Sequence, residues 1–186
     1  MRGTILAIAV AGGALALCGV VVLRARAGQF GQRQQSRISP HESVSSTVDG
    51  ARVTIVYGRP SMRGRVVFGS LVPYGQVWCP GADEATTLES SRVLQIANLR
   101  IPTGPHTIWI LPQRDRWTLV ISREPEGFHN RYNARADIGR VPLSRRDLEA
   151  PVEQLTFAVG ASAAGGGTIA MSWEKTEISA SFSVVQ

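Results

Sequence analysis

The sequence predicts an all-β domain: an antiparallel β-sandwich or jelly-roll-like fold of about nine short strands, preceded by a hydrophobic N-terminal helix. Three observations predict it. From Ser43 on, apolar side chains recur with a period of two; clusters of Gly, Pro, Ser and Asn break the runs; and residues 4–23 form a separate run without a charge.

Residues 4–23 (TILAIAVAGGALALCGVVVL) follow Arg2 and precede Arg24 and Arg26, the pattern of an export signal or an anchor. The length suits a membrane-spanning helix, whereas Gly12-Gly13 weakens that helix and Ala25-Arg26-Ala27 has the small-x-small form of a cleavage site. Residues 1–27 therefore read as a signal peptide or an N-terminal membrane anchor, and the membrane is a partner if they are not cleaved. Leu17 stands where a lipoprotein cysteine such as Cys18 needs a small residue. Counting Arg on the two sides of the run favours a cytoplasmic body by the positive-inside rule. Residues 28–38, rich in Gln, Gly and Arg and poor in apolar side chains, form a flexible basic linker, and residues 39–186 form a single domain.

Within that domain Val44/Ser46/Val48, Val53/Ile55/Tyr57 and Trp117/Leu119/Ile121 each place alternate side chains on one face, as half-buried strands do. Residues 93–96 and 106–111 supply further strands, with residues 101–105 (IPTGP) as the turn between them. Leu155/Phe157/Val159, Ile169/Met171/Trp173 and Ile178/Ala180/Phe182/Val184 read as a three-stranded antiparallel meander with turns at residues 160–167 and at Lys175-Thr176. Phe157, Met171, Trp173 and Phe182 fall on its inner face. The one helical signal is residues 144–149, where Ser144 can cap, Asp147 follows three residues on and Pro151 stops the run.

A chain of 186 residues with 44% apolar content supports one core. The net charge of +6 is concentrated before Ser39: beyond it fifteen basic residues face fourteen acidic ones. A nearly neutral body does not neutralise phosphates, which excludes nucleic acid as a partner on composition. Once residues 1–27 are removed Cys79 is the only thiol, so no intramolecular disulfide forms. The sequence holds no phosphate-binding Gly loop, no His-Glu-x-x-His, no nucleophile elbow and no paired-cysteine spacing, so neither a cofactor nor a metal is expected. His41, His106 and His129 lie far apart and carry no metal signature of their own.

Residues 57–87 (YGRPSMRGRVVFGSLVPYGQVWCPGADEATT) stand apart through their density of aromatic, Gly, Pro and Arg residues, and form a collar or a site. As a site, Arg59 and Arg65 would bind an anionic or hydroxylated ligand, Tyr57, Tyr74 and Trp78 would offer aromatic faces, and Asp83 with Glu84, and His41 upstream, would supply acceptors or acid/base groups. As a scaffold, the same Tyr and Trp would fill the end of the fold, Arg59 and Arg65 would pair with Asp83 and Glu84, and the glycines and prolines would shape turns. Ion pairs and aromatic plugs are the commoner outcome in such folds.

Ser39-Pro40-His41, Tyr57-Gly58-Arg59-Pro60, Gly64-Arg65, Phe68-Gly69, Leu71-Val72-Pro73-Tyr74-Gly75, Val77-Trp78, Gly81-Ala82, Glu84-Ala85-Thr86, Pro102, Gly104, Trp117 and Val152-Glu153-Gln154 together resemble the bacterial family catalogued as domain of unknown function 2911. The resemblance implies an exported domain of the cell envelope, periplasmic or extracellular, and carries no established activity. Where that family usually continues its Trp with Arg-Thr-Gly-Ala-Asn, this chain has Cys79-Pro80-Gly81-Ala82-Asp83, and His106 departs from a Gly-Thr-Tyr turn. Two functions follow as expectations. One is a non-enzymatic module that binds a small molecule, glycan or protein through the collar; the other is a hydrolase or other acid/base enzyme using Asp83 and Glu84 with Arg59 and Arg65.

Overall fold

The computed structural model describes residues 39–185; the hydrophobic helix expected over residues 4–23 and the linker over 28–38 lie outside them. The described chain is all-β, with nine strands and one short 3-10 turn (Ala134–Ala136). In chain order the strands are β1 (His41–Val48), β2 (Ala51–Gly58), β3 (Thr87–Ser90), β4 (Leu94–Ile96), β5 (Leu99–Ile101), β6 (Gly104–Pro112), β7 (Trp117–Ser122), β8 (Asp137–Ala161) and β9 (Gly167–Val184). They join into one antiparallel open sheet in the order β1-β2-β3-β6-β7-β8-β9-β4-β5.

The sequence suggested two separate sheets of short strands, and the reason for the difference lies in β8. Its first part pairs with β7 (Trp117↔Leu143, Leu119↔Val141), and its remainder pairs with β9 (Ser144↔Ser179 through Ala161↔Gly167), so one bent strand links both halves. The helix expected over residues 144–149 does not form: Ser144 to Asp147 pair in register with Ser179 to Thr176. Six residues of local capping signal are outweighed by the cross-strand partners that the hairpin brings opposite them. Likewise Lys175-Thr176 is no turn. β9 runs through it, with Glu174 at φ +55 where β8 carries extra residues between Asp147 and Val152, a bulge that bends the strand without ending it.

The turn at residues 162–166 falls between β8 and β9 as its glycines require: Gly165 and Gly166 have φ +89 and +64. The alternation holds where burial decides it. Val53, Ile55 and Tyr57 of β2, Phe157 of β8, and Met171, Trp173 and Phe182 of β9 are all buried in the main core. Because the sheet curls, Tyr57 on β2 meets Phe157 on β8 edge to face, ring centroids 4.9 Å apart. A second, smaller cluster gathers Cys79, Ala85, Trp109 and Val120 on the other side of β6 and β7.

Candidate functional site

Residues 59–86 carry no regular strand, and their backbone is held by contacts to the long strands. Met62 donates its amide to the Glu153 carbonyl (2.8 Å) and Arg63 its amide to the Glu153 carboxylate (2.9 Å). The Glu174 carboxylate accepts from the amides of Val67 (3.4 Å) and Phe68 (3.2 Å). Val67, Phe68 and Val72 are buried, so the segment forms a strap tied down through side chains and backbone together. Sequence reasoning missed both glutamates as ties. The signal available was their position, Glu153 directly after Val152, the residue that pairs with Glu174 at the bulge.

The aromatic members of the collar plug the core. The Tyr57 ring is buried and its hydroxyl accepts from the Phe157 amide (3.2 Å); burial pushes its pKa up. Trp78 stacks on Trp173 at 6.0 Å and 17°, with Phe68 edge-on to both and to Trp117. Its backbone forms a two-way bridge with Ile110 (2.8 Å each way). Tyr74 lies against Gly69, whose φ of +91 and proximity to that ring leave no room for a Cβ, and Arg114 sits over the ring at 5.6 Å from its centroid.

The charged members do not pair as expected. Arg59 reaches Glu42, not Glu84: Nη1 lies 3.0 Å from the Glu42 carboxylate, Nε donates to the Leu155 carbonyl (3.1 Å) and Nη2 to the Thr156 hydroxyl (2.9 Å). Arg65 folds back on its own strap, donating to the carbonyls of Met62 and Ser61 (2.8 Å each). The register explains Arg59: Glu42 pairs with Tyr57, and Arg59, two residues on and with its amide on the Pro40 carbonyl (2.7 Å), falls on the same face diagonal to Glu42. Asp83, at φ +65, presents its carbonyl to the backbone amide of His129 (3.1 Å), with the His129 Nδ1 2.6 Å from the same oxygen.

Glu84 faces His41 instead, carboxylate to Nδ1 at 3.5 Å. The two line an open cleft of about 570 Å³ whose other walls include Glu124, Glu126, Phe128 and Arg131. β1 supplies His41, and the backbone bridge Glu84↔Phe128 sets the 124–131 segment opposite the end of the collar. Of the eight residues singled out from sequence, only His41 and Glu84 meet in this cleft. The 124–131 wall (EPEGFHNR) was missed because it carries no recognised motif and no strand alternation.

Cys79 is buried beside Trp109, its sulfur accepting from the Thr86 amide (3.3 Å), and burial pushes its pKa up to about 11. The thiol takes up a packing position, not a solvent-facing one. Because the folded value exceeds the ordinary 9.0, its contribution is fully present below pH 9 and is lost as pH rises through about 11. The urea midpoint is expected to fall over that window, by about 2–3 kcal/mol of stability in all, and Cys79→Ala should lose this component of the alkaline decline. An unchanged decline in that variant would remove Cys79 as its source.

Among the described residues no group of three His, Cys, Asp or Glu is placed to hold a metal ion. What the fold and the cleft define is an all-β domain with a strapped collar and one mixed-charge groove beside it. The chain belongs to the family described as protein of unknown function (DUF2911), whose model matches residues 39–182. No curated protein and no solved structure matches it.

Proposed function

We propose that the protein is an exported cell-envelope module that binds a small polar ligand, a glycan or a short peptide in the cleft between His41, Glu84, Phe128 and Arg131, with the collar serving as the scaffold that holds this cleft open. One observation carries the reading: Tyr57, Arg59, Arg65 and Trp78 are engaged with the protein's own backbone and core, while His41 and Glu84 border a concavity. Carboxylates, a guanidinium, an imidazole and an exposed aromatic ring around one groove suit a ligand that has both polar groups and an apolar face. Export rests on the uncharged run over residues 4–23 and on what the family resemblance implies for the remainder. The near-neutral body argues against a nucleic-acid partner.

The hydrolase alternative changes its cast. Arg59 and Arg65 are turned away from Glu84, so acid/base chemistry would have to use Glu84 with His41. The two readings divide on turnover. A thermal-shift screen of the full chain against small saccharides, amino acids and short peptides is expected to yield ligands whose shift disappears in His41→Ala and Glu84→Gln, with the ligand recovered intact. A shift that survives both substitutions places binding elsewhere, and a ligand recovered cleaved moves the cleft to the enzyme reading.

A further inference from the structure

The strap carries a second surface, distinct from the cleft. Val67, Phe68 and Val72 point into the core, and this forces their neighbours out: Val66 is 61% exposed and Leu71 43%. The two are adjacent in space as well, since the Leu71 amide donates to the Val66 carbonyl (3.3 Å). Isolated exposed apolar residues need no explanation, but two of the three largest among the described residues share one pinned loop.

The charge around them has one sign along the chain. No acidic residue occurs between Asp49 and Asp83, and Arg63 and Arg65, both exposed, lie just before Val66. The carboxylates that approach from other strands, Glu153 and Glu174, are directed at the strap's backbone amides, and Lys175 stands exposed next to Glu174. Arg65 is braced by two carbonyls of its own strap, which orders the guanidinium without neutralising it. A pinned loop that offers apolar tips beside arginines is matched by a surface that takes both: acyl chains just beneath anionic headgroups.

We propose that residues 63–71 form a membrane-contact surface that rests on an anionic lipid bilayer, with Val66 and Leu71 entering the headgroup boundary and Arg63 and Arg65 meeting phosphates. This rests on the envelope reading above. Residues 24–38 allow at most about 50 Å of chain between the apolar run and the domain. A run held in the bilayer would keep the strap at high effective concentration near that surface, so weak contacts suffice.

The test uses the full chain with Cys18→Ser and a polarity-sensitive fluorophore on Ser70→Cys, a site exposed at the strap tip; the buried Cys79 thiol does not compete for label. A matched label on Ala164→Cys reports the exposed β8–β9 turn. In vesicles of phosphatidylcholine with phosphatidylglycerol, acrylamide quenching at Ser70→Cys is expected to fall about threefold, with a blue shift, while the Ala164→Cys label stays open to solvent. Val66→Ser/Leu71→Ser should abolish this protection, and Arg63→Gln/Arg65→Gln should abolish its dependence on anionic lipid. Equal quenching with and without vesicles overturns the proposal. If the protein still floats with the vesicles, the anchor stands and only the contact surface fails; if it does not, both fail. Protection that appears without lipid and grows with protein concentration assigns the strap to a second copy, and protection by an added acidic protein in place of lipid assigns it to a protein partner; either outcome also overturns it.

Discussion

Trp173→Ala is expected to lower the unfolding free energy by about 3–5 kcal/mol, the cost of truncating a large side chain in a packed core. Trp173 is buried on β9 and is shared by three neighbours. It stacks on Trp78, meets Phe68 edge-on, and donates its indole N–H to the Glu153 carbonyl (3.2 Å). That carbonyl also accepts from Met62, so the truncation opens a cavity directly beneath the strap and loosens the tie that holds it. The strap is expected to become sensitive to protease before the sheet does. Urea denaturation measures the first effect and limited proteolysis the second; a loss below about 1 kcal/mol would mean that the face of β9 turned toward the core is the other one.

Gly58→Ala is expected to cost about 3 kcal/mol, at the upper end of overpacking penalties. Gly58 closes β2, and a Cβ there would sit well inside van der Waals contact with the carbonyl oxygen of Ala82. The obstacle is main chain on both sides, which no rotamer change relieves. Ala82 precedes Asp83 and Glu84, so any shift that makes room moves the cleft wall, and ligand binding should weaken together with stability. Gly160→Ala is the matched control. It too lies at a strand end, meets nothing within 4 Å, and should be neutral or slightly stabilising. Equal stability of the two variants would show that the collar is not packed against the end of β2.

These two residues also mark what could be read from the sequence. The alternation through Val53, Ile55 and Tyr57, and through Met171 and Trp173, is a burial signal, and burial dominates folding, so these strands and their core faces followed from it, and the turn expected at residues 160–167 is found within that range, at 162–166. Where a local signal competed with a distant partner it misled: Ser144, Asp147 and Pro151 spell a helix, yet β9 lies opposite and takes them into the sheet. β3 was hidden because Thr87–Ser90 is four residues long and continues a collar already set aside as irregular. Pairings were the least legible. Nothing in Arg59 itself says that Glu42 will stand beside it, since that depends on the β1–β2 register. The cleft was half visible: His41 and Glu84 were singled out for their chemistry, whereas Glu124, Glu126, Phe128 and Arg131 join it through long-range backbone ties, the bridge to Phe128 and the Thr107 amide on the Glu124 carbonyl.

The central claim is that the collar is scaffold and the cleft beside it is the site, and Arg59 decides it most directly. The ion pair it forms is half exposed, the side chains of Arg59 and Glu42 being 29% and 40% accessible, so its coupling is screened to about 0.5–1 kcal/mol. Its hydrogen bonds to Leu155 and Thr156 raise the cost of Arg59→Ala to about 1–3 kcal/mol. Double-mutant cycles by urea denaturation measure both pairings at once. The expected result is a coupling of about 0.5–1 kcal/mol between Arg59→Ala and Glu42→Ala, and none between Arg59→Ala and Glu84→Gln. Coupling to Glu84 in place of Glu42, or an Arg59→Ala protein as stable as its parent that no longer binds the cleft's ligands, would contradict the scaffold assignment and make Arg59 part of the site.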